Sequence, residues 1–129
     1  MSSPLILGFN MSDADRMDRV WPIITNEEAI AIDHAWAGSP GTLHKTLHNN
    51  TVEIWTKPML DHKVAVLVLN ANGEANVTVS VSKDDVPGSP SDKSVRDVWN
   101  HKDVTLANGV LPLELDTHDS ALLIFSGTQ

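Results

Sequence analysis

Residues 63–81 read KVAVLVLNANGEANVTVSV, and this stretch decides the fold class. Lys63 opens the run Val-Ala-Val-Leu-Val-Leu, which predicts a central strand apolar on both faces. Asn72-Gly73 follows, a residue pair that favours the left-handed backbone of a tight hairpin turn. Val77, Val79 and Val81 then alternate with Asn76, Thr78 and Ser80, so the next strand has one wet face. A dry strand, a turn and a half-wet strand in succession predict an antiparallel sheet.

The pattern continues on both sides. Val52, Ile54 and Trp55 mark a strand that leads to Pro58. Residues 84–93 read as a Pro/Gly/Ser/Asp loop, and Val95, Val98 and Trp99 as a further strand. Asn108-Gly109 is a second hairpin pair leading into Leu111, Leu113 and Leu115. Pro112 and Glu114 take the other face, and Pro112 favours a sheet edge. Ala121 to Phe125 is a buried last strand. Together these predict a mainly β chain, an antiparallel β-sandwich of seven to eight strands over residues 42–129.

Upstream of a Gly/Pro linker at residues 36–41, the first 35 residues have another character. Pro4 to Phe9 form an almost wholly apolar strand of the kind buried in a parallel sheet, yet no parallel neighbours follow. Ser12 to Asp15 form a capping box with Ser12 as N-cap. Ala14, Met17, Val20, Trp21 and Ile24 then recur at helical spacing, while Asp13/Arg16 and Asp15/Arg19 pair on the wet side. Pro22 is expected to kink or end this helix. Thr25 to Glu28 is a second capping box, opening a helix through about Ile32.

Composition bounds the function. At 129 residues the chain holds one core, and its 9 Lys+Arg against 17 Asp+Glu give a net charge of −8. That balance argues against nucleic acid or an anionic membrane as a partner, since both reward clustered cations. Cysteine is absent, which removes disulfides, thiol nucleophiles and Cys-ligated metals. No apolar run is long enough to span a bilayer, and Met1 is followed by Ser2, Ser3 and Pro4 rather than by a basic stretch and an apolar core, so no signal peptide is visible.

Residues with catalytic potential do not converge. Asp116, His118, Asp119 and Ser120 hold the types of a Ser-His-Asp triad, but triad members meet across a fold, so a polar turn is expected. His44 and His48 have the spacing of a helical metal pair. In an extended stretch they stand about 13 Å apart, so no metal site is expected. Asp84-Asp85 lie in a polar loop without an apolar pocket, and Glu27-Glu28 cap a helix. Trp21, Trp55 and Trp99 are expected in the core, and Trp36 is unconstrained. Asn10, Asn49 and Asn76 begin Asn-x-Ser/Thr sequons, and Asn49 and Asn76 are candidates for glycosylation.

The order of motifs resembles glycoside hydrolase family 27, the α-galactosidase and α-N-acetylgalactosaminidase family. Met1-Ser-Ser-Pro-Leu-Ile-Leu-Gly8 is similar to that family's eighth barrel strand. Ile24-Thr-Asn-Glu-Glu-Ala-Ile-Ala-Ile32 is similar to its following helix, and Trp36-Ala-Gly-Ser-Pro-Gly41 to the turn that leaves the barrel. Val52-Glu-Ile-Trp55 with Lys57-Pro58 resembles its V-E-V-W-x-K/R-P strand. Ser94-Val-Arg-Asp-Val-Trp99 with His101-Lys-Asp103 resembles its V-R-D-L-W-x-H-K-D segment.

The resemblance implies that residues 1–35 are the last β/α unit of a truncated TIM barrel, before the linker 36–41 and the sandwich 42–129. It implies no catalytic residue in this chain, because the family's nucleophile and acid/base Asp belong to earlier strands. Met1 aligns with an internal Met of the family, implying a fragment, an alternative start or a truncated gene model. Phe9-Asn10-Met11-Ser12 stands where the family has N-D-L-R, at the mouth of the barrel. Asn10 and Met11 are therefore the candidate substrate-binding residues, in contact with an α-galactoside only within a complete barrel. No cofactor is implied. The family's compartments, secreted or lysosome- and vacuole-like, are the expected localisation. Three functions follow in order: a non-catalytic C-terminal fragment of an α-galactosidase-like hydrolase, an interaction protein that oligomerises or docks through residues 4–9, and a carbohydrate-binding β-sandwich.

Overall fold

The computed structural model describes residues 5–88 and 90–127. Two helices come first, α1 (Ala14–Ile24) and α2 (Glu27–His34). Eight strands follow: β1 (Thr42–Leu47), β2 (Val52–Pro58), β3 (Lys63–Asn70), β4 (Val77–Ser82), β5 (Pro90–Asp97), β6 (Lys102–Val104), β7 (Val110–Leu115) and β8 (Ser120–Gly127). They form a six-stranded sheet in the order β1-β2-β3-β8-β5-β6 and a two-stranded sheet, β4-β7. Every pairing is antiparallel.

The sandwich core lies between the two sheets and is built mostly of valine. Val52, Ile54, Val66, Val68, Val95, Leu123 and Phe125 point inward from the large sheet. Val79, Val81, Leu111 and Leu115 meet them from the small one. The alternation read along β4 and β7 holds: Thr78, Ser80, Pro112 and Glu114 are exposed. The large sheet also has a covered outer face. Ala65, Leu67, Leu122 and Ile124, the alternate residues of β3 and β8, pack with Ile32 of α2. This second face explains why β3 and β8 are apolar on both sides.

Several local expectations need correction. Residues 5–9 form no strand, and Leu5, Ile6 and Leu7 are exposed, because an isolated strand has no neighbours to accept its hydrogen bonds. Pro4, the expected first residue of that strand, lies outside the described residues. The N-cap of α1 is Asp13, not Ser12, and that of α2 is Asn26, not Thr25. The first helix runs two residues beyond Pro22, whose missing N–H falls in its exposed final stretch, where solvent can satisfy the freed carbonyl. Asn72-Gly73 does not close a hairpin, since β3 and β4 belong to different sheets. Asn108-Gly109 does form a tight turn with positive φ at both residues, closed by the Ala107–Val110 pair. Residues 83–85 form a 3₁₀ turn and 90–93 belong to β5 rather than to a loop. That strand stops at Asp97, before Val98 and Trp99.

Candidate functional site: a helix-docking seam on the outer sheet

The residues that carry the motifs converge on one place, the seam between α2 and the outer face of the six-stranded sheet. Its first tie is Asn26, a buried N-cap. The side-chain oxygen accepts from the Ala29 N–H at 3.1 Å, which caps the helix. Its amide nitrogen donates to the Val98 carbonyl at 3.0 Å, so the same side chain fastens the helix start to the end of β5.

The second tie is Lys57. Alternation along β2 sends Val52, Ile54 and Thr56 into the sandwich and leaves Lys57 on the helix side. There it is fully buried. Its ammonium donates to the Ile32 carbonyl and, at 3.1 Å, to that of Asp33. The last carbonyls of a helix lack intrahelical partners and carry the negative end of its dipole, so a cation is favoured there. Burial pushes the Lys57 ammonium below the usual lysine range, and the Asp33 charge acts in the opposite direction.

The third tie is ionic. Arg96 on β5 donates Nε and Nη2 to the two carboxylate oxygens of Glu28, both at 2.8 Å, in a bidentate pair. The ring Nδ1 of His101 lies 2.9 Å from the same carboxylate. Hydrogen bonds from Arg96 and then His101 hold the Glu28 carboxyl down to about 2. Arg96 also reaches Asp103 at 3.4 Å.

Nothing comparable holds α1. It has no buried residue. Trp21, expected in the core, is exposed on it, and Met17, Val20 and Ile24 of the same apolar stripe are only partly buried. Trp36 is exposed too, while Trp55 and Trp99 are half-buried on the helix side of the sheet. Between the 5–7 segment, the two helices and the sheet runs an apolar groove of about 390 Å³, lined by Leu5, Leu7, Ile23, Ile30, Leu67 and Trp99 among others.

Asn10 and Met11 sit in the exposed turn before α1. The Asn10 side chain accepts from the Ser12 N–H at 3.0 Å, a local turn. The residues of the triad-like set form the β7–β8 turn, with Asp119 N–H bonded to the Asp116 carbonyl at 3.2 Å and Ser120 N–H to the Asp119 carboxylate at 2.7 Å. Asp85 caps the 3₁₀ turn and pairs with Lys45 at 2.8 Å. Burial would raise its carboxyl, but the hydrogen bonds from Lys45 and the Ser82 N–H outweigh that and hold it below the usual range. Among the described residues no group of three or more His, Cys, Asp or Glu is arranged to hold a metal ion.

Sequence reasoning missed the roles of Lys57 and Asn70. The latter is fully buried and donates to the carbonyls of Ala75 and Asp116 at 3.1 and 2.8 Å. A polar residue closing an apolar strand was the available signal.

Eight antiparallel strands among the described residues, in two sheets of which the larger grips a helix on its outer face, define a β-sandwich domain stabilised by packing and by polar ties. Residues 49–125 match the family described as the α-galactosidase C-terminal β-sandwich domain, and the chain belongs to that family. It corresponds to the C-terminal portion of an α-galactosidase-family protein. It is 30% identical over 127 residues to an α-galactosidase of Cyamopsis tetragonoloba, covering 96% of this chain and 29% of that protein. It is 29% identical over 126 residues to an α-galactosidase of Coffea arabica, covering 96% and 32%. α-Galactosidase I of Mortierella vinacea superposes with a TM-score of 0.76 at 24% identity, covering 98% of this chain and 32% of that one. The chain thus spans less than a third of the length of the relatives it matches.

Proposed function

We propose that this chain is the non-catalytic C-terminal part of an enzyme that hydrolyses α-galactosides, and that its sandwich serves to hold the end of the catalytic portion in place. The observation that carries the reading is the seam. The family-like motifs around Asn26, Lys57 and Arg96 are spent on fastening a helix to a sheet. The resemblance assigns both catalytic Asp residues of the family to strands that this chain does not contain. In this reading Asn10 and Met11 touch the sugar only when the remaining barrel strands surround them.

The test is hydrolysis of an aryl α-galactoside. The purified 129-residue chain gives no release above background. The same chain joined behind the barrel portion of the Cyamopsis relative gives turnover, and Asn10→Ala in that fusion raises KM. Turnover by the isolated chain that follows the protein through purification overturns the reading.

A second reading rests on the exposure of Leu5, Ile6 and Leu7, at 64%, 88% and 49%. Apolar side chains so placed favour association, here between two copies through residues 5–9.

A further inference from the structure

We infer that α2 belongs to the folding unit of the sandwich, so that the cooperative boundary in this chain falls between Thr25 and Asn26 rather than at the Gly/Pro linker 36–41. The linker is the natural division by composition, yet among the described residues the side-chain hydrogen bonds and ion pairs that cross it bind α2 to the sheet. Asn26 fastens the helix start to Val98, Glu28 is gripped by Arg96, Ile32 fills the outer-face cluster, and Lys57 closes the helix end at the Ile32 and Asp33 carbonyls. The sheet needs the helix in return. Without α2 the buried ammonium of Lys57 would lose its carbonyl acceptors, and Ala65, Leu122 and Val98 would lose their cover. A surface that offers a cation to the end of a helix, a carbonyl to its N-cap and a guanidinium to its first turn is shaped for one helix in one direction. The preceding helix has none of this: Thr25 and Asn26 bond back only to Trp21 and Ile23 through their N–H groups, and no α1 side chain is buried.

Native-state hydrogen exchange of the full chain tests the inference without reference to catalysis. The amides of Ile30 and Ala35, bonded within α2, are expected to exchange with the slow class of β3 and β8, at least about 100-fold slower than Met17 and Thr25 of the α1 region. In Lys57→Met the amides of α2 and those of β3 and β8 lose protection together and by the same factor, while Met17 and Thr25 stay in the fast class. If that variant does not fold, Glu28→Gln carries the test, with an equal loss of about 10-fold in α2, β3 and β8. Wild-type α2 amides that exchange together with those of α1, or variants in which α2 loses protection while β3 and β8 keep theirs, would overturn the inference. The outcome is independent of whether any form of the chain hydrolyses a galactoside.

Discussion

Gly127 closes the sandwich by having no side chain. Its N–H donates to the His62 carbonyl at 2.6 Å, and a Cβ at this position would stand 2.5 Å from the same oxygen. The neighbour is backbone and cannot rotate away, so Gly127→Ala has to push the end of β8 off the β2–β3 turn. Overpacking of this kind costs about 1–3 kcal/mol, read as a lower urea midpoint with an unchanged slope. A midpoint equal to wild type would show that the strand end yields freely. The two Asn-Gly pairs show how one dipeptide follows its surroundings. Asn108 and Gly109 adopt φ of 53° and 77°, the left-handed values of a tight hairpin. Asn72 instead uses its side chain to accept from Glu74 N–H at 2.9 Å, while its own N–H donates to the Asn70 side chain at 3.0 Å. Those local turns carry the chain from one sheet to the other.

At the scale of elements, the electrostatics of α2 make its docking sensitive to acid. Glu28 ionises near 4.5 when unconstrained and is held at about 2 in the folded chain by Arg96 and His101. A carboxyl with a depressed folded value stabilises the fold above its unfolded value, and that contribution is lost as pH falls from about 4.5 to 2. The wild-type chain should therefore lose more stability over this window than Glu28→Gln, which has no proton to take up there. Denaturant midpoints measured every half unit of pH check this, and parallel curves for the two proteins would contradict it. The burial of Lys57 belongs to the same scale. Alternation along β2 sets its side, but the low exposure of a charged residue there depends on the helix that supplies two carbonyls.

For the whole molecule, the distribution of apolar surface is uneven. Leu5, Ile6, Leu7, Met11, Trp21 and Ile23 are all exposed in the first quarter of the chain, against Trp36, Leu43 and Leu60 in the rest of the described residues. Self-association through residues 5–9 predicts a sedimentation coefficient that rises with concentration. Ile6→Asp removes an apolar contact worth about 1.5–3 kcal/mol, so it weakens that association by roughly 10-fold or more without unfolding the sandwich. A wild-type chain that stays monomeric to millimolar concentration rules this contact out.

By itself the sequence determined what depends on neighbours along the chain. The valine alternation of β4, the dry runs of β3 and β8, the two short helices and the Asn108-Gly109 turn were all legible, because a strand period of two and a helix period of 3.6 are local signals. The motifs around Trp55 and Trp99 pointed to the family, though not to what those residues touch. Only the tertiary structure decided which sheet each strand joins, that α2 covers the outer face of the large one, and that Asn26, Lys57 and Arg96 meet around it. It also decided against a strand at residues 5–9 and a buried Trp21. Those two readings assumed partners that the described residues do not provide: strand pairing and burial are supplied by distant parts of a chain, and an apolar pattern records only the capacity for them.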